Sequence, residues 1–158
     1  MRSVSPLLHA TTISMAVVVA GSVPVAGLIC LEGIYPRLVS RFVDEGADLL
    51  VLVTNDAWYD GTTEPVQHAR IAVLRAIEHR IAVVRCANSG VSAVIDPYGR
   101  VRQATKSGTR DVLEAEVEIG RGRTFYSRFG DWLPISVSLL AALFSLFLLL
   151  EPRLGRRR

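Results

Sequence analysis

The chain has 158 residues, of which 50% are hydrophobic and 21% charged, and its formal net charge is +3. That length suits one domain with an adequate core. The positive charge makes no nucleic-acid footprint, because the arginines are scattered and no basic stripe is interleaved with aromatics. Two cysteines, Cys30 and Cys86, make neither a disulfide framework nor a clustered zinc site. His9, His68 and His79 show no metal-ligand spacing and read as surface or packing residues.

In chain order, Met1 to Thr12 is polar and mixed, and Ile13 to Leu31 is largely apolar but broken by Gly21, Pro24 and Gly27. The stretch Ile13–Ala20 leaves three readings open. Arg2 and Ala20-Gly21-Ser22 fit a signal peptide, the apolar length fits a membrane segment, and Val17–Val19 fits a buried strand. Val25–Ile29 reads as a strand. Tyr35–Glu45 predicts a helix, with Pro36 in the first turn, Leu38, Val39, Phe42 and Val43 on one face, and Gly46 as the stop. Leu49–Val53 is an unbroken apolar run, as expected of a strand covered on both faces.

Asn55–Glu64 predicts a loop and Pro65–Arg80 a second helix. Ile81–Cys86 and Val91–Ile95 predict strands. Asp96-Pro97-Tyr98-Gly99 predicts a tight turn, with Val101–Ala104 returning from it. Val112–Val117 alternates apolar and acidic residues, as an exposed-edge strand does. Trp132–Leu150 carries no charge and is long enough to cross a ~30 Å hydrocarbon core. Trp132 marks one boundary. Arg153 and Arg156–Arg158 follow the other, which predicts a cytoplasmic C-terminus.

Cys30 ends a predicted strand just before a helix. Such an elbow exposes a nucleophile beside free backbone N–H groups, and Glu32 is near enough to share the pocket. A lone cysteine in an apolar run is also a common small core residue, so the residue types alone leave both roles open.

The string Leu28-Ile29-Cys30-Leu31-Glu32, then Tyr35-Pro36 and a helix, resembles the nucleophile segment of the nitrilase superfamily. Further matches follow in order: Gly46-Ala47-Asp48-Leu49-Leu50, Thr54-Asn55-Asp56-Ala57-Trp58, Gln67-His68, Arg75-Ala76-Ile77-Glu78, Val84-Arg85-Cys86-Ala87-Asn88-Ser89-Gly90, Ser92-Ala93-Val94-Ile95-Asp96-Pro97-Tyr98-Gly99-Arg100 and Tyr126-Ser127-Arg128-Phe129-Gly130-Asp131-Trp132. Their order and spacing resemble the apolipoprotein N-acyltransferase family, over about Val25 to Leu150.

The resemblance implies an α/β fold: a partial nitrilase-type αββα sandwich followed by one C-terminal transmembrane helix. It divides the chain into a segment 1–24 of unassigned role, the C-terminal part of a nitrilase-like domain over 25–131, a transmembrane helix over 132–150 and a basic cytoplasmic tail over 151–158. It implies a bacterial inner-membrane protein with the nitrilase-like domain on the periplasmic side. It implies Cys30 as the nucleophile, Glu32 as a supporting acid and Trp58 as an aromatic near the acyl pocket. The implied partners are a phospholipid acyl donor, a diacylated lipoprotein acceptor and the membrane, with no cofactor, metal or nucleic acid.

Leu31 departs from the family, which has Tyr there, and Cys86 stands where a small packing residue is expected. The family's base Glu and its Lys lie upstream of the nucleophile, yet residues 1–29 hold neither type, and the one lysine is Lys106. The expectation is therefore a fragment, inactive alone. Two rivals are a soluble nitrilase-type amidase, which needs no apolar tail, and a non-catalytic membrane-tethered subunit or remnant. The latter would pair with a separate polypeptide carrying the N-terminal half.

Overall fold

The computed structural model describes residues 17–20, 22–59, 61–120, 122 and 124–154. The expectations placed on Arg2, His9, residues 13–16, Gly21 and residues 156–158 lie outside them. The chain divides into two compact units, Met1–Gly122 and Arg123–Arg158.

The first unit is built on a six-stranded sheet in sequence order: β1 (Val17–Ala20), β2 (Val23–Ile29), β3 (Leu49–Thr54), β4 (Val83–Ala87), β5 (Ala93–Ile95) and β6 (Val101–Ala104). Strands β2, β3 and β4 are parallel, while β1 pairs antiparallel with β2 and β4, β5 and β6 pair antiparallel in turn. Of the three readings of the first apolar run, Val17–Ala20 takes the strand, paired Ala20 to Val23 in a hairpin.

Helices α1 (Pro36–Asp44) and α2 (Glu64–His79) connect the parallel strands, as parallel pairing requires. Both pack on one face of the sheet. Val39, Phe42 and Val43 of α1 and Ala72 and Ala76 of α2 join Ala26, Leu28, Leu50, Leu52 and Val83 in a single core. Burying a side chain such as Phe42 or Leu52 contributes about 1.5–3 kcal/mol. Arg80 ends α2 in the left-handed conformation, φ 50°, and its guanidinium lies 4.8 Å from the centre of the Tyr98 ring.

The other face of the sheet is open among the described residues. Side chains alternate along a strand, so the residues between the core positions form a second row. Ile29, Val53 and Cys86 are register partners across β2, β3 and β4, and all three are exposed. This corrects two expectations. Among the described residues Leu49–Val53 is covered on one face only, because the described helices of this unit lie on one side. Cys86, expected to pack, faces out on the uncovered side.

The Asp96–Gly99 turn forms as expected. Asp96 accepts from the amides of Tyr98 and Arg100, both at 2.9 Å, and Gly99 supplies the left-handed φ of 79°. The predicted strand Val112–Val117 does not form. That stretch is irregular, touched by a bond from Gln103 Nε2 to the Glu114 carbonyl, and no neighbouring strand among the described residues offers it a backbone ladder. Alternation without a pairing partner is not sufficient for a strand.

The second unit holds α3 (Phe125–Phe129) and α4 (Trp132–Leu154). Thr124 caps α3 by accepting from the Ser127 amide at 2.9 Å. Within α4, Trp132–Leu149 has a mean hydropathy of 2.2 and is long and apolar enough to cross a membrane. It corresponds to the predicted span Trp132–Leu150.

Candidate active site

Three parallel strands end on the same edge of the sheet, the carboxyl edge where open α/β sheets hold their ligands. Ile29 is paired with Val53, and Thr54 with Ala87. The segments that leave this edge are therefore neighbours: Cys30 after β2, Asn55–Tyr59 after β3 and Asn88–Gly90 after β4. The predicted site residues Cys30, Glu32 and Trp58 come from the first two.

Cys30 opens a 3-10 turn, Cys30–Ile34, with φ 51°. A non-glycine residue in this region stores strain that the surrounding structure must hold. Two contacts hold it. Glu32 folds back so that its Oε2 accepts from the Ile29 amide at 2.7 Å. Gly33 is buried against Leu52, whose side chain leaves no spare room there: a Cβ on Gly33 would meet it at 3.2 Å. Cys30 itself is partly exposed and is a free thiol, as is Cys86. The turn is the strand-to-helix elbow expected from the sequence.

The second segment is a 3-10 turn, Asp56–Tyr59, inside the stretch expected to be a loop. Trp58 lies on it, 83% exposed. Asn55 Oδ1 accepts from the Ala57 amide and from Asn88 Nδ2, both at 3.2 Å, and the Asn88 amide donates to the Thr54 carbonyl at 3.0 Å. These bonds join the Trp58 turn to the Asn88–Gly90 turn.

Behind both turns lies a buried cluster that the sequence did not reveal. Asp56 Oδ2 accepts from Arg85 Nη2 at 2.7 Å, and Oδ1 accepts from Thr54 Oγ1 at 2.9 Å and lies 3.2 Å from His68 Nδ1. Arg85 also donates to the Val91 carbonyl. Burial raises the Asp56 pKa, but the bonds from Arg85 and Thr54, the Arg85 charge and the His68 contact together bring it below the usual carboxylate value. Positions 56, 68 and 85 are far apart in the chain, and no spacing rule connects them. The sequence treated them as separate motif members, and His68 as a surface or packing residue.

Asp56, Glu64 and His68 each offer a ligand atom, all within 4.8 Å of one another. The Arg85 guanidinium already neutralises Asp56 at 2.7 Å, so the donor set fits an ion-pair cluster better than a cation site. A cavity of about 640 Å³ lies elsewhere, against β5 and β6, lined by Asp96, Arg102, Gln103 and Glu114 among others. Cys30, Glu32 and Trp58 do not line it.

The sequence profile of the carbon-nitrogen hydrolase family matches residues 4–126. The chain is 44% identical over 104 residues to an apolipoprotein N-acyltransferase of Geobacter metallireducens, covering 66% of this chain and 20% of that one. It is 46% identical over 112 residues to the enzyme so named in Chlorobaculum tepidum, covering 71% of this chain and 21% of that one. It is 35% identical over 130 residues to that of Thermotoga maritima, covering 82% and 26%. The chain thus spans 20 to 26% of the length of these relatives.

Its fold is similar to a carbon-nitrogen hydrolase from Helicobacter pylori, with a TM-score of 0.59 at 14% identity, covering 68% of this chain and 44% of that one. It is also similar to Nit3 of Saccharomyces cerevisiae, a nitrilase-superfamily member, with a TM-score of 0.55 at 18% identity, covering 64% and 40%. At such identities the likeness is one of fold. The chain belongs to the carbon-nitrogen hydrolase family, and within it is similar to a part of the apolipoprotein N-acyltransferases.

Proposed function

We propose that this chain is the thiol-bearing part of an N-acyltransferase that moves a phospholipid acyl chain, through a Cys30 thioester, to the N-terminal cysteine amine of diacylated lipoproteins. The observation that carries the proposal is the Cys30 elbow. A strained, partly exposed cysteine opens a turn at the carboxyl edge of the sheet, in a chain similar to proteins named for this activity.

The reaction has two halves. The Cys30 thiolate attacks the acyl ester carbonyl, a C–S bond forms, and the C–O bond breaks. The lysophospholipid oxygen takes up the proton that the thiol gave to a base. The lipoprotein amine then attacks the thioester, a C–N bond forms, the C–S bond breaks and the thiolate returns while the base accepts the amine proton. Backbone N–H groups of the elbow would serve as donors for the oxyanion. Glu32 supports the turn rather than acting as the base, since its carboxylate is committed to the Ile29 amide. Trp58 offers an apolar surface to the acyl chain.

The base and the lysine that the family resemblance calls for match no residue among positions 1–29. This 158-residue polypeptide by itself is therefore expected to turn over slowly or not at all. Such groups are worth roughly 10²–10⁴-fold and 10²–10³-fold. The open row of Ile29, Val53 and Cys86 supports a second sheet layer there, as an αββα sandwich requires. That layer would carry the missing groups, on the same or a separate polypeptide. Helix α4 would anchor the unit in a bacterial inner membrane, with residues 25–131 on the periplasmic side and the arginines after Leu150 in the cytoplasm.

The test is to offer the purified chain labelled phospholipid. No thioester above the Cys30→Ser background is expected from the chain alone, and a clear rate above it would overturn the inactivity. The amidase reading lacks a use for the apolar α4, and solubility of the purified chain without detergent would favour it.

A further inference from the structure

We infer that Asp56 is a positioning residue, whose buried carboxylate sets the place of the Trp58 turn and the Asn88–Gly90 turn beside Cys30. The inference rests on the proposed site in one respect only, that Cys30 and Trp58 belong to it.

Asp56 is 1% exposed, yet it is the first residue of the turn whose third residue is the most exposed aromatic described, Trp58. A side chain fixed inside the protein thus anchors one that stands in solvent two residues later. Its hydrogen-bonding partners come from three separate places: Thr54 at the end of β3, His68 on α2 and Arg85 on β4. Arg85 extends the cluster to the chain just after the Asn88–Gly90 turn, because its second donor goes to the Val91 carbonyl. The guanidinium, itself fully buried, spans from the carboxylate to the turn.

Gly90 supplies an independent observation. A Cβ built on it would land on Asp56 Oδ2, and would approach Asp56 Cγ to 2.8 Å. The turn therefore packs its backbone directly on the carboxylate, and only glycine permits the approach. On the outer side the same two turns are joined by Asn88 Nδ2 to Asn55 Oδ1 and by the Asn88 amide to the Thr54 carbonyl. The carboxylate clamps from within what these bonds clamp from without.

An unpaired buried guanidinium is costly, so replacing the carboxylate does more than remove one bond. In Asp56→Asn the amide NH₂ or the carbonyl must face Arg85 without a full charge. In Arg85→Lys one ammonium cannot serve both the carboxylate and the Val91 carbonyl in the forked geometry. In Gly90→Ala the pair stays but the turn is pushed off it.

The experiment uses the full chain in detergent, with Trp132→Phe and Cys86→Ser as background, so that Trp58 is the one indole and Cys30 the one thiol. Trp58 fluorescence anisotropy is read, together with the ratio of Cys30 alkylation rates by N-octylmaleimide and N-ethylmaleimide. Asp56→Asn and Gly90→Ala are each expected to lower the anisotropy and to reduce the ratio about fourfold, the worth of one buried methylene. The double variant should be no worse than either single one, because both act on one contact. Glu78→Gln, which removes the partly buried Arg75–Glu78 ion pair on the same helix α2, controls for loss of stability alone and should leave both readouts in place. Where Asp56→Asn does not fold, Gly90→Ala and Arg85→Lys carry the test. Unchanged anisotropy in the folded variants, or an equal change in Glu78→Gln, would overturn the inference. A changed anisotropy in a chain that never forms a thioester counts against the proposed chemistry and not against the role of Asp56.

Discussion

Glu32 turns its carboxylate back to the Ile29 amide, 2.7 Å away, and so closes a short ring around Cys30. The bond is exposed to solvent, which holds its net worth to about 1.5 kcal/mol although its acceptor is charged. Glu32→Ala should therefore speed hydrogen exchange at the Ile29 amide about tenfold. Glu32→Gln keeps an oxygen acceptor and should recover most of the protection. Exchange measured by NMR on both variants checks this.

The left-handed backbone at Cys30 predicts a conflict between stability and chemistry. An L residue loses roughly 1 kcal/mol in that conformation, and glycine does not. Cys30→Gly should therefore be more stable than Cys30→Ala by about 1 kcal/mol, read from thermal midpoints in detergent. Equal midpoints would mean that the turn relaxes when the thiol is removed.

Acid should act first through His79. It is 1% exposed between α1 and α2, with Nε2 at 3.4 Å from Ser40 Oγ. Burial lowers its pKa from 6.5 to about 4, helped by the Arg75 charge and opposed by Asp44. Between those values the unfolded chain binds a proton that the folded chain refuses. Stability is fully present above pH 6.5 and falls as the pH drops toward 4. The loss is up to about 3 kcal/mol. His79→Gln should flatten the profile in that window, as denaturant titration at several pH values would show. Asp56, with its pKa lowered from 3.8, contributes its own loss only at lower pH.

If α4 crosses a membrane as proposed, a charge in its middle should weaken insertion. Leu143 lies near the centre of the span Trp132–Leu149 and is exposed. Leu143→Arg costs about 2.5–3.5 kcal/mol of insertion free energy. Leu143→Ile should be neutral. Alkaline extraction of membranes carrying each variant separates the outcomes.

How much of this could be read from the sequence depended on whether a signal was local. Helix α1 could be read because Pro36, its apolar face and Gly46 all lie within one segment. The elbow at Cys30 could be read because an apolar run stops there and a helix follows. Alternation at Val112–Val117 misled, because a strand needs a partner and the sequence does not say whether one is in reach. Leu49–Val53 reads as a strand with both faces away from water; among the described residues the helices cover one face, and the proposed second layer would cover the other. The Asp56, His68 and Arg85 cluster left no periodicity at all. Gly90 was the nearest clue, since a glycine after a strand marks a close backbone approach, but the sequence does not name what it approaches.

In the proposed reaction Cys30 carries the acyl chain. The most direct measurement is mass spectrometry of this chain after incubation in detergent with labelled phospholipid, with and without a separate polypeptide made from the remainder of the Chlorobaculum tepidum relative. A hydroxylamine-labile acyl adduct on Cys30 is expected when that polypeptide is present, little or none when it is absent, and none in Cys30→Ser. An adduct on Cys86, or one that persists in Cys30→Ser, would contradict the proposed reaction, as would a Cys30 that stays unmodified with the second polypeptide bound.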